Sequence, residues 1–141
     1  MPIRTATGVW RGDLKAGQGT VALGSGAFEG AYSFPSRFEQ GPGTNPEELI
    51  GAAHAGCFAM ALSNGLATAG FVPTEVRVEA RVHLGRDDKG AAITKIELHC
   101  RATVPGIDAD TFAQQAQAAK AGCPVSKALA AVPIELDAAL A

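Results

Sequence analysis

The chain has no Cys-x-x-Cys pair, no run of basic residues, no internal repeat and no low-complexity tract. Without the Cys-x-x-Cys spacing, a thioredoxin-like oxidoreductase is disfavoured. Twelve Lys and Arg balance fourteen Asp and Glu, for a net charge of -2 spread along the chain, so nucleic acid and anionic membrane are poor partners. Cysteine is scarce: three residues, an odd number, scattered along the sequence. That is not the disulfide framework of a small secreted protein, and a reducing cytoplasm is the expected compartment. The opening Met1-Pro2-Ile3-Arg4-Thr5 lacks the charged and then apolar regions of a signal peptide, so export is not expected. Charged residues make up 18% and hydrophobic residues 47% of the 141 positions, which excludes disorder and supplies one sizeable core. A single domain over residues 1–141 is expected.

From Gly8 to Phe34 short apolar runs (Val9-Trp10, Val21-Ala22-Leu23, Ala31-Tyr32) alternate with glycine-rich punctuation and read as strands and hairpins. Phe38 to Thr44 reads as a loop. Asn45, Pro46 and Glu48 then form a helix start, with Asn45 as N-cap, Pro46 in the first turn and Glu48 in a capping box. The stretch Leu49 to Phe71 is apolar or small on every side, which describes a helix buried all round. Its length would allow a membrane span, but His54, Ser63, Asn64 and Thr68 interrupt it and its bulk is Ala and Gly, so the membrane reading is rejected. Small residues let a second, equivalent helix pack closely.

Val76 to Leu84 alternates, as does the stretch to Val104, where Ile96, Leu98, Cys100, Ala102 and Val104 share one side. With a polar turn from Gly85 to Gly90 the two make a hairpin. Asp108 caps a helix through Phe112, Ala116 and Ala119; a short helix from Pro124 to about Ala130 and a final strand with Ile134 and Leu136 inward follow. The order is that of an α+β protein, an antiparallel sheet covering a helix.

Cys100 falls on the apolar side of a strand and reads as core. Cys57 sits in mid-helix after Ala55 and Gly56; packing is one reading, a ligand near the sulfur another. Cys123 joins two helices just before Pro124, where its thiol could cap the second and feel its positive end. By electrostatics alone Cys123 is the more reactive thiol, and Cys57 needs a cation brought to it. His54 and Cys57 are three apart, and His83, His99, Cys100 and Cys123 could add metal ligands, but no short-spaced ligand pair exists and His99 and Cys100 point to opposite faces. His54 is read as a satisfied histidine in a crowded helix interface. The competing readings are a metal-binding protein and a non-catalytic stress protein with structural cysteines.

Two stretches, Gly43-Thr44-Asn45-Pro46-Glu47-Glu48-Leu49-Ile50-Gly51-Ala52-Ala53-His54-Ala55-Gly56-Cys57-Phe58 and Lys120-Ala121-Gly122-Cys123-Pro124-Val125-Ser126, resemble the OsmC branch of the OsmC/Ohr thiol peroxidases. The resemblance extends to Val9-Trp10-Arg11-Gly12-Asp13-Leu14 and Phe34-Pro35-Ser36-Arg37-Phe38. It implies an organic hydroperoxide reductase without metal, haem or flavin, serving in oxidative or osmotic stress and recycled by a dithiol such as a lipoylated protein. It also implies an intertwined homodimer, two long central helices wrapped by antiparallel β-sheets, with active sites at the interface. By position Cys57 would be the peroxidatic thiolate and Cys123 the resolving thiol, which reverses the order from the helix dipole. Arg37 matches the arginine beside the reactive sulfur, and Glu47 the glutamate that pairs with it.

A guanidinium would hold Cys57 as S⁻, and a carboxylate would hold the guanidinium fork. Glu47 and Cys57 are ten residues apart on one helix, roughly 15 Å along its axis. If Glu47 orders the arginine beside the sulfur, it comes from the partner subunit. Glu48 is explained by the capping box. Phe58 and Met60, with Phe34 and Phe38 around Arg37, would offer apolar walls to an alkyl tail.

Overall fold

The computed structural model describes residues 1–141, which divide into two compact units, Met1–Leu49 and Ile50–Ala141. The fold is α+β.

In the first unit β1 (Ala6–Arg11), β2 (Gln18–Leu23) and β3 (Glu29–Tyr32) form an antiparallel sheet in the order β1-β2-β3. They fall where the short apolar runs stand. A short helix, α1 (Phe34–Phe38), follows directly, a feature the apolar pattern does not announce. Its signal is local: Ser33 is the N-cap, Ser33 Oγ accepts from Ser36 N–H, and Ser36 Oγ accepts in return from Ser33 N–H. Two serines three apart thus do the work of the usual Ser and Glu.

α2 (Pro46–Thr68) begins in the first unit and continues through the second. Asn45 caps it as expected, accepting from Glu48 N–H at 2.8 Å. The reciprocal half of the capping box is missing, because the Glu48 carboxylate accepts from Thr44 Oγ1 instead. The helix stops before Phe71: Gly70, at φ +96°, lets its own N–H bond Ala67 O while Phe71 N–H bonds Leu66 O.

In the second unit β4 (Glu75–Asp87) and β5 (Gly90–Thr103) make the expected antiparallel hairpin, longer than the alternation suggested because the strands run on to a turn at Asp88-Lys89. β6 (Ile134–Leu140) joins β5 in parallel, after α3 (Ala109–Gly122) and α4 (Pro124–Ala128) carry the chain back across the sheet. Ile96, Leu98, Cys100 and Ala102 are closed to solvent under Phe58, Leu62 and Leu66 of α2 and Phe112, Ala116 and Ala119 of α3. Asp108 caps α3 by accepting from Thr111 N–H.

α2 itself departs from expectation. Gly51, His54, Phe58, Leu62 and Leu66 form a buried stripe at helical spacing, while Ala52, Ala53, Gly56, Met60, Asn64 and Ala67 are exposed. Within one chain α2 is covered on one side only. By length and composition it could cross a membrane, with a mean hydropathy of 1.3 over an 18-residue window of which 28% is buried.

Candidate active site

Arg37 and Glu47 meet within the first unit. Ser36 Oγ donates to Thr44 O at 2.7 Å and Asn45 Nδ2 donates to Ser36 O at 3.0 Å, which ties α1 to the start of α2. Gly43, at φ +111°, makes the bend; a Cβ there would stand 2.7 Å from Ala31 O. So held, Arg37 grips the buried Glu47 carboxylate with two nitrogens, Nη2 to Oε1 at 2.8 Å and Nε to Oε1 at 3.1 Å. The second Nε contact, to Oε2, is 3.3 Å. The fork orients the guanidinium while leaving it partly open to solvent. Phe34 and Phe38 pack ring to ring at 4.9 Å, and Arg37 Cζ lies 5.4 Å from the Phe38 centroid. A concavity of about 720 Å³ in this unit, bordered by Arg11, Asp13, Gly17 and Tyr32, contains none of the four candidate site residues.

Cys57 and Cys123 meet within the second unit. Their sulfurs are 2.7 Å apart, both thiols are free, and 66 positions separate them in sequence. α2 supplies Cys57 and the α3–α4 junction supplies Cys123. Cys123 is the N-cap of α4, yet its sulfur makes no capping hydrogen bond of good geometry, which corrects the expectation that the thiol caps the helix. The position still acts on ionisation. Burial pushes Cys123 up, but hydrogen bonding from Cys57, the N–H and hydroxyl of Ser126 and the N–H of Val125 bring it below an ordinary thiol. Cys57 moves the other way, raised by burial and then by its hydrogen bond and charge interaction with Cys123, with only the Val125 backbone opposing. No cation is among the groups that act on either sulfur. Exposure runs opposite to acidity: Cys57 is half-buried and Cys123 is closed to solvent.

Cys100 is core, as expected, and burial pushes its thiol up to about 11. Phe58 is fully buried and belongs to the core rather than to a pocket wall, while Met60 is exposed. His54 is buried with Nε2 2.7 Å from Ser126 Oγ, but its Nδ1 has no partner, so the histidine is only half satisfied. His99 and Cys100 lie on opposite faces of β5, and no group of three or more His, Cys, Asp or Glu side chains is placed to hold a metal ion. Sequence reasoning missed Ser126; its signal was its place three residues after Cys123, in the first turn of α4.

An OsmC-like family model matches residues 39–137, most of the chain. The chain belongs to the OsmC-like family. It is 57% identical over 129 residues to peroxiredoxin OsmC of Escherichia coli K12, covering 91% of this chain and 90% of that protein. An organic hydroperoxide resistance protein of Xanthomonas axonopodis pv. citri is 36% identical over 89 residues, 62% of this chain and 61% of that one. Among solved structures, the organic hydroperoxide resistance protein OhrB of Bacillus subtilis superposes with a TM-score of 0.77 at 26% identity, covering 96% of this chain and 98% of that chain. Family membership and the paired thiols class this OsmC-like chain as a thiol-dependent peroxidase.

Proposed function

We propose that the protein reduces organic hydroperoxides to alcohols, with Cys57 as the peroxidatic thiolate and Cys123 as the resolving thiol. The observation that carries this is the meeting of the two free sulfurs at 2.7 Å. The Cys57 thiolate attacks a peroxide oxygen: an S–O bond forms, the O–O bond breaks, and the alkoxide leaves as alcohol after taking a proton. Cys57 becomes a sulfenic acid. Cys123 attacks that sulfur, the S–O bond breaks, and water leaves as the Cys57–Cys123 disulfide forms. A dithiol, such as a lipoylated protein, returns both thiols.

Cys57 is the poorer anion of the two within its own subunit, so it needs the Arg37 guanidinium with Glu47 as its holder. The roughly 15 Å between Glu47 and Cys57 along α2 favours delivery of the Arg37–Glu47 pair from a second subunit. The exposed small face of α2, Ala52, Ala53 and Gly56, suits a second copy of the same helix in an intertwined homodimer with interfacial sites. Residues 1–141 then act as one OsmC-like domain, since the family match runs across both units. Unpaired cysteines suit a reducing cytoplasm.

The lower ionisation of Cys123 favours a second reading, in which the roles are exchanged. Exposure argues for the first, because peroxide must reach the sulfur that attacks it and Cys123 is closed to solvent.

Subunit complementation tests the proposal. Arg37→Ala chains mixed with Cys57→Ser chains leave one complete site per mixed dimer if Arg37 serves its partner, and none if it serves its own chain. Recovered peroxidase activity is expected on mixing; none on mixing would sink the interfacial site.

A further inference from the structure

His54 has no part in the reaction as proposed, yet it is wholly buried, one turn before Cys57 on α2, with its Nε2 2.7 Å from Ser126 Oγ. Ser126 is itself buried, three residues after Cys123 in the first turn of the helix that Cys123 caps, and its hydroxyl is among the groups that draw the Cys123 thiol down. A serine hydroxyl has one proton, which it can give to His54 or to Cys123 but not to both. The unpartnered Nδ1 decides between them. If Ser126 donated to Nε2, the neutral imidazole would carry its proton on Nδ1 as a buried N–H with no acceptor, the rarer and costlier defect. With the proton on Nε2, His54 donates to Ser126, Nδ1 is a bare acceptor, and the serine proton is free for the sulfur.

We infer that His54 is a positioning residue for the resolving thiol: its Nε2–H fixes the Ser126 hydroxyl as a donor to Cys123 Sγ, so that Cys123 attacks as a hydrogen-bonded anion. The step it serves is Cys57–S–OH plus Cys123–SH giving Cys57–S–S–Cys123 plus water. The Cys123 proton and the departing hydroxide make the water, and the electron pair of Cys123 forms the S–S bond. His54 is held neutral because burial lowers its pKa, so it acts as a donor of fixed direction rather than as a charge.

The inference rests on the peroxidase reading, and two measurements keep them separable. The first follows a single turnover of the reduced protein with one equivalent of cumene hydroperoxide, trapping sulfenic acid with dimedone. His54→Leu and Ser126→Ala should consume peroxide at the parent rate but form the disulfide more slowly, so that the Cys57 dimedone adduct accumulates. Each tenfold loss of thiolate slows attack about three- to fourfold, because the more basic thiolate is also the better nucleophile. One to two such losses predict a slowing of roughly 3- to 15-fold below the thiol pKa, with the pH midpoint of disulfide formation moved upward. His54→Gln, which keeps an N–H near the Nε2 position, should recover most of the rate. Equal slowing of both steps, or parent-like disulfide formation in Ser126→Ala, would overturn the inference.

The second measurement needs no peroxide. In a Cys57→Ser background, thiolate absorbance reports Cys123, because Cys100, pushed up to about 11, titrates far above it. Adding Ser126→Ala or His54→Leu should raise the Cys123 midpoint; an unmoved midpoint overturns the inference even if the protein proves not to be a peroxidase. A raised midpoint in a protein that leaves peroxide untouched would sink the peroxidase reading and keep the hydrogen-bond chain.

Discussion

Cys57 Sγ lies 2.7 Å from Cys123 Sγ, and of the two only Cys57 is reachable from solvent. The pair is therefore asymmetric in two opposed senses: the accessible sulfur is the less acidic one, and the acidic sulfur is hidden. A peroxidase whose one sulfur must first attack the peroxide and whose other then closes the disulfide needs this division of labour, provided a cation makes up the deficit at the accessible one.

Titration with alkyl hydroperoxide should convert the parent protein to a species two hydrogens lighter, with Cys57 and Cys123 joined. Cys57→Ser should consume no peroxide. Cys123→Ser should consume one equivalent and stop at a sulfenic acid on Cys57. Intact-mass analysis reads all three; a Cys123→Ser protein that is inert beside an active Cys57→Ser would establish the exchanged roles.

Arg37→Ala should slow sulfenic acid formation by about 3- to 60-fold, as expected for withdrawing a positive charge that lowers a neighbouring acid's pKa by one to three units, each tenfold loss of thiolate being partly offset by its greater nucleophilicity. Arg37→Lys should recover only part, since a single ammonium cannot reproduce the two-nitrogen grip on Glu47. Glu47→Gln should fall between. Stopped-flow rates against pH distinguish lost charge, which moves the pH midpoint upward, from lost folding, which does not.

Gly56 has open space around it within one chain, with Ala52 and Ala53 one turn before it and Met60 one turn after it on the same face. In an isolated subunit Gly56→Ala should stabilise α2 by about 1 kcal/mol through helix propensity alone. If a second copy of α2 lies against this face, Gly56→Leu should shift the protein toward monomer and lower peroxidase activity with it. Sedimentation velocity over a concentration series reads the shift.

His54 lies below its ordinary pKa because it is buried, so the folded chain resists a proton that the unfolded chain binds. Unfolded histidine titrates near 6.5, so stability contributed by neutral His54 is complete above about pH 6.5 and declines as the pH falls below it. The slope from this one group is at most about 1.4 kcal/mol per pH unit. Urea midpoints at neutral and mildly acid pH should show a shallower decline in His54→Gln than in the parent; equal declines would deny His54 this role.

Cys100→Ala should keep full peroxidase activity and cost about 1 kcal/mol, the usual consequence of a small deletion in a packed core. Its thiol, raised to about 11, should resist alkylation in the native protein. Thiol counting before and after denaturation checks this.

The apolar face of β5 was legible because alternation depends on nothing beyond the strand itself: Ile96, Leu98, Cys100 and Ala102 all lie under the helices. The Asn45 and Asp108 caps were legible for the same reason, since a cap is settled within four residues. α1 was not, because a five-residue helix carries no periodicity and its one signal, Ser33 with Ser36, uses an uncommon partner in the capping box. Nor was Glu48 fully legible: the Thr44 hydroxyl competes with the Asn45 N–H for its carboxylate, and local spacing cannot rank two donors.

By itself the sequence determined the kinds of group available and the elements that carry them: a cysteine in an Ala- and Gly-rich helix, a cysteine at a helix junction, an arginine and a glutamate around a Gly-Pro-Gly bend. Side-chain type and period act over a few residues, so they survive in the linear order. Only the tertiary structure decided that the two sulfurs meet, that Arg37 takes Glu47 with both nitrogens, that Ser126 is buried against His54, and that one side of α2 is uncovered. Those relationships join positions up to 72 apart, and they exist only once burial and hydrogen bonding have fixed which surfaces face each other.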